Sequence, residues 1–214
     1  MATLTIEPPA THRTRRETVA GRRFRFTPDE YQRLGETGIL TENDRVELID
    51  GEIIEMSPIG IQHNECVAIV NVVLHELLGR TAKVYPQNSI RLLNRSEPEP
   101  DFAVIRFKRY RSLPTERDVY LVMEVSDSSL RYDRTTKLPL YAAAGIPEAW
   151  IFDIGFERVE RHTVPTPDGY ATVQEAGRGE TLASTVLPAI RISVDEIFGP
   201  VEEADPDDEP SDEE

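Results

Sequence analysis

The spacing of apolar residues changes several times along the chain, and each change predicts an element. Little is apolar before Phe24 and Phe26, which lead into Thr27-Pro28-Asp29-Glu30. That is a capping-box pattern with proline at the first helical position, so a short helix is predicted to start there. Two β-prone runs, Arg45-Val46-Glu47-Leu48-Ile49 and Glu52-Ile53-Ile54-Glu55-Met56, flank Asp50-Gly51. Asp-Gly in that setting signals a tight hairpin, whose turn needs positive φ at both central residues. Over 61–78 the period becomes helical, with His63, Val67, Val70, Leu74, Leu77 and Leu78 on one stripe. Strands are predicted at 83–93 (interrupted by Pro86), 101–105, 119–125 and 148–154. A helix near 133–144, stopped by Gly145, lies between the last two. After Phe156 short alternating strands with Pro and Gly turns run to Phe198.

This mixed order predicts an α/β or α+β core with at least one antiparallel hairpin. Residues 1–22 read as a mobile basic arm, 23–200 as the folded domain, and 201–214 as a disordered acidic tail. The tail changes the meaning of the net charge of −15: its nine acids and no base leave −6 for the rest. A residual acidic charge argues against a nonspecific polyanion binder, yet leaves room for a metal-assisted site with one local basic patch. The single cysteine, Cys66, excludes an internal disulfide framework and a multi-cysteine zinc site. With no apolar run long enough for a membrane helix and no secretory-type leader, the expectation is a cytoplasmic protein without a membrane partner.

The chemistry begins with two carboxylates. Val119-Tyr120-Leu121-Val122-Met123-Glu124-Val125 is almost wholly apolar, as expected of a strand buried on both faces. Glu124 near its end is costly there unless paired or neutral. Asp101 opens a second apolar strand, Phe102-Ala103-Val104-Ile105. An antiparallel pairing that sets Ile105 opposite Tyr120 also sets Asp101 opposite Glu124, with Cβ atoms about 5 Å apart. Two carboxylates so close need a shared proton or a cation. Two readings stand side by side. In one the pair holds Mg²⁺ or Mn²⁺, which suit hard oxygen ligands. In the other Asp101 caps a turn and Glu124 pairs with a buried base.

Asp101 after Pro100, then Glu124-Val125-Ser126 on the next strand, resembles the signature of the PD-(D/E)XK nuclease superfamily. The wider text is similar to a bacterial branch of restriction-endonuclease-like proteins. The matching pieces include Glu47 to Glu52, Met56-Ser57-Pro58, His63, Pro98 to Asp101, Asp133 to Lys137, Leu140-Tyr141-Ala142 and Ala144 to Glu148. The resemblance spans about Phe26 to Phe198 and implies a restriction-endonuclease-like mixed sheet flanked by helices. It implies a metal-dependent DNA endonuclease, acting as a homodimer, with Asp101, Glu124 and the Val125 carbonyl on the metal. The superfamily's lysine position is here Ser126, and in the similar branch the lysine comes from the following helix, which points to Lys137. Lys137 falls on an apolar stripe with Leu140, Tyr141 and Ala144, so it either faces inward or snorkels at the helix edge. Glu47 and His63 are implied as further catalytic members. Read as residues alone, Glu47 is equally a hairpin surface acid and His63 a hydrogen-bonded core histidine.

Arg106, Lys108, Arg109 and Arg111, interleaved with Phe107 and Tyr110, form the densest basic cluster in the folded part. They lie in the loop joining the two carboxylate strands, at the end away from Asp101 and Glu124. Such a cluster is a candidate DNA contact, or a solvated loop. Two other functions fit much of this pattern: a noncatalytic binding or assembly module on a nuclease fold, and a metal-dependent hydrolase of a smaller phosphoester.

Overall fold

A computed structural model describes residues 23–41, 43–93 and 95–199. The basic arm and the acidic tail lie outside these. Helix α1 (Pro28–Glu36) starts as the sequence predicts: the Thr27 hydroxyl accepts the Glu30 N–H at 3.2 Å, and Glu30 accepts the Thr27 N–H at 2.8 Å. Strands β1 (Val46–Ile49) and β2 (Glu52–Glu55) form the predicted hairpin, with Asp50 at φ 46 and Gly51 at φ 78. Helix α2 (Ile61–Leu78) follows and ends at Gly79.

The centre is a six-stranded sheet in the order β3-β4-β5-β6-β7-β8. Its members are β3 (Ala82–Pro86), β4 (Phe102–Arg106), β5 (Val119–Ser126), β6 (Glu148–Asp153), β7 (Arg158–Thr166) and β8 (Gly169–Ala176). Only β5 and β6 run parallel; the other neighbours are antiparallel. The parallel pair needs a crossover, supplied by α3 (Leu130–Tyr132), a π-helical turn (Asp133–Lys137) and α4 (Leu138–Ala143). One face of the sheet packs Phe102, Val104, Leu121 and Met123 against Val70 and Leu74 of α2. The other packs Ala103, Ile105 and Val122 against Leu138 and Tyr141. Strand β5 is therefore buried on both sides, as its composition requires. A two-stranded sheet, β9 (Thr181–Ala183) with β10 (Arg191–Ser193), and the short α5 (Val194–Phe198) complete the α2 layer.

Four details differ from the sequence reading. The run predicted at 83–93 stops at Pro86, because proline cannot continue a ladder; Gln87 turns away at φ 46. The β4–β5 register is as predicted from Phe102↔Met123 to Val104↔Leu121, but Ile105 faces Val119 and not Tyr120. A bulge at Tyr120 shifts the far end and leaves the carboxylate end in place. Third, the stretch after Phe156 holds a long hairpin, β7 and β8, added to the main sheet, and α5 was not predicted. Finally, the crossover helix opens as a π turn. In an unbroken α-helix the Pro139 ring would clash with the carbonyl four residues back, and widening the preceding turn relieves that conflict.

Candidate active site

At the C-terminal end of β5, between the β1–β2 hairpin, the start of α2 and the crossover, lies a cleft of about 260 Å³. Glu47 comes to it from β1, His63 from the first turn of α2, Glu99 and Asp101 from the approach to β4, and Glu124 from β5. Lys137 enters from the π turn. The Asp101 carboxylate lies against the edge of β5, where its Oδ2 accepts the Val125 N–H at 2.8 Å. The Val125 carbonyl lies on the same edge, since the N–H and C=O of one strand residue point to the same side. His63 Nε2 stands 3.2 Å from Asp101 Oδ1, and this contact raises the imidazole pKa against the effect of burial.

Lys137 is buried, which settles its direction: it faces inward and does not snorkel. Its Nζ lies 3.3 Å from Glu124 Oε1, 3.5 Å from Glu47 Oε2, and donates to the Glu99 carbonyl at 3.2 Å. Burial alone would depress the ammonium pKa, but Glu124 and Glu47 overcome that and hold Lys137 charged. Glu124 is pushed well above the usual carboxylate range by burial and by the like charges of Asp133 and Asp101, with Lys137 opposing. Burial also raises Glu99 and Asp133. The cleft thus holds more carboxylates than cations, and a proton or a metal must make up the difference.

Residues outside the sequence-based assignment hold this arrangement. Tyr141, fully buried on α4, donates its hydroxyl to Glu124 Oε1 at 2.6 Å. Its place four residues after Lys137 on an apolar stripe is the signal, because a buried phenol needs a partner. Tyr132 donates to Glu47 Oε1 at 3.1 Å, and the Glu99 N–H donates to Glu47 Oε2 at 3.1 Å. Both oxygens of Glu47 are therefore engaged by groups that fix it beneath Lys137. Ser126, at the superfamily's lysine position, instead anchors the π turn: its hydroxyl donates to Asp133 Oδ2 at 2.7 Å, beside Ser129 at 2.6 Å. Arg134 ties the same turn to β6 and β7, with Nε donating to Glu160 Oε2 at 3.3 Å and Nη2 3.5 Å from Asp153. Hydrogen bonds from His162 and Arg134 outweigh burial and hold Glu160 down at about 2.

The donor set fits a hard divalent cation. Among the described residues no three His, Cys, Asp or Glu form a ready-made cage. Mg²⁺ does not need one, since it binds through one or two carboxylates and completes its shell with water and substrate phosphate. Asp101, Glu124 and the Val125 carbonyl are oxygen donors of that kind and would hold such an ion, whose charge would offset the surplus negative charge. The basic loop is not brought to the cleft. Arg106, predicted in the loop, is the last residue of β4, and Lys108, Arg109 and Arg111 follow it, all at the end of the strand away from Asp101.

A family model named Uma2, with the description "Putative restriction endonuclease", matches residues 28–195. No curated protein matches the sequence. A crystal structure of a protein from Anabaena variabilis ATCC 29413, titled a putative nuclease belonging to DUF820, is similar in fold with a TM-score of 0.64. The similarity covers 81% of this chain and 97% of that one at 15% identity. No helix among the described residues is long and apolar enough to cross a membrane.

Proposed function

The chain belongs to the Uma2 family, and from that premise we propose that it hydrolyses phosphodiester bonds of DNA as a divalent-metal-dependent endonuclease. In this reading Asp101, Glu124 and the Val125 carbonyl hold Mg²⁺ or Mn²⁺. A bound ion would polarise the scissile phosphate and lower the pKa of a coordinated water. Lys137 orients the attacking oxygen or offsets the negative charge that grows on the phosphate in the transition state. Glu47 fixes the lysine, Tyr141 fixes Glu124, and His63 fixes Asp101. The homodimer implied by the family resemblance belongs to the same proposal.

The observation that carries the reading is the burial of Lys137 between Glu124 and Glu47. An ammonium delivered from the crossover to the carboxylate pair replaces the lysine that Ser126 lacks. Supercoiled plasmid incubated with Mg²⁺, Mn²⁺ or EDTA tests the function. Nicking with either metal and none in EDTA is expected. Absence of nicking with both metals refutes it.

A further inference from the structure

The far end of β3 and β4 gathers cations on aromatic faces. The Arg80 guanidinium lies 5.0 Å from the Phe107 ring centre, Arg106 5.2 Å from Tyr120, and Lys108 4.8 Å from Tyr110. Lys83 stands between Tyr85 and Tyr110, at 5.5 and 5.7 Å. Arg109 and Arg111 follow in the same exposed loop. Among the described residues, only Lys108 of these cations has a carboxylate in ion-pair range, Asp118 at 2.5 Å. The chain has 39 acids to 24 Lys and Arg. A patch in which all but one of the cations lack an acid partner among the described residues, in such a chain, carries the electrostatic footprint of a polyanion partner.

The patch is joined to the cleft along the edge strand β3, where Lys83 and Tyr85 are half-buried and Gln87 is exposed, while Ala103 and Ile105 beside them are covered by the crossover. Lys83 pairs with Ile105 and Tyr85 with Ala103, and directly opposite residues share a face. Gln87, next along the edge strand, lines the cleft and donates its N–H to the Asp101 carbonyl at 2.9 Å. A track therefore leads from Gln87 past Tyr85 to Lys83 and Lys108. Its length from Gln87 to Lys83 is four residue steps, about 13 Å at strand rise. At roughly 3.4 Å of rise per nucleotide, that is about four nucleotides.

We propose that this cation–aromatic surface is a second DNA contact, which grips the sugar-phosphate backbone about four nucleotides from the bond positioned in the cleft. It rests on the nuclease reading of the cleft. The aromatic faces are already engaged by the protein's own cations, so the grip acts through charge on phosphates and is independent of sequence.

The test measures binding of a fluorescein-labelled 20-base-pair duplex by anisotropy, in EDTA, from 50 to 200 mM NaCl. It compares the full chain with Arg109→Ser/Arg111→Ser, with Arg106→Ser/Lys108→Ser, and with a charge-matched control, Arg33→Ser/Arg191→Ser. Each patch pair should weaken binding at least tenfold at 50 mM NaCl. Each should also flatten the slope of log affinity against log salt by about 1 to 2, since each phosphate contact contributes roughly 0.9. The control should change neither. Equal affinities and slopes in all four proteins overturn the proposal, as does an equal loss in the control. Tighter binding of a poly-glutamate peptide than of the duplex also overturns it, reassigning the surface to an acidic protein. No turnover is needed, so a cleft that fails to cut DNA leaves this result decisive.

Discussion

Replacing Lys137 by methionine keeps the volume of the side chain and removes its charge. It leaves Glu124 and Glu47 buried without the ammonium that lies 3.3 and 3.5 Å from them. Breaking a buried pair by removing one partner costs about 3–5 kcal/mol when the other must stay charged. Glu124 need not stay charged at every pH. Burial already holds its pKa above the ordinary value of 4.5, and the loss of Lys137 removes the main opposing influence. The folded variant therefore binds more protons than the unfolded chain from pH 4.5 upward, so its stability falls as pH rises through that window. Wild-type Lys137 remains charged throughout and is the reference. Urea unfolding in EDTA reads the difference through Trp150, the single tryptophan, which is fully buried on β6. The expected loss is about 3 kcal/mol at pH 8 and less than half of that at pH 5. Equal losses at the two pH values, or none at pH 8, would refute the account of the cleft as a carboxylate cluster balanced by one lysine.

Arg134→Ala should lower kcat about ten- to a hundredfold with little change in KM, because it frees the π turn that aims Lys137 without touching the substrate. Arg134→Lys should recover part of the loss in the same steady-state assay. At Gly51, a Cβ would come 2.7 Å from Arg25 Cβ and 2.9 Å from the Phe26 carbonyl, on backbone at φ 78. Gly51→Ala should therefore cost about 1–3 kcal/mol, seen in denaturant unfolding. Burial pushes the Cys66 thiol up to about 12, so it should stay silent to a thiol reagent at pH 8 in the native protein and react fully in urea. Prompt reaction of the native protein would contradict the packing of α2.

Much of the frame was legible because local rules and tertiary needs agree. The Thr27 capping box, the Asp50-Gly51 turn and the α2 stripe each specify their element without help from distant residues. The antiparallel register that brings Asp101 to Glu124 followed from two strands and one index. The bulge at Tyr120 did not, because a single inserted residue leaves no period to read. The π turn escaped for a related reason: Pro139 marks a conflict in the helix, and only the three-dimensional anchors Ser126, Ser129 and Glu160 show how it is resolved. Glu47 was open between a surface acid and a site member until packing set Tyr132 and the Glu99 N–H on its two oxygens. The cation–aromatic surface was half legible, since Arg106 to Arg111 are contiguous in sequence but Arg80 and Lys83 join them only through β3.

The most direct measurement of the central claim is nicking of supercoiled plasmid with Mn²⁺ by wild type beside Asp101→Asn. The two carboxylate oxygens of Asp101 meet His63 and the Val125 N–H, and the amide is nearly isosteric, so the fold should persist by circular dichroism. The account predicts metal-dependent nicking by wild type and its loss, by at least a hundredfold, in the folded variant. Nicking that survives Asp101→Asn at the wild-type rate would place the chemistry outside this cleft and contradict the account.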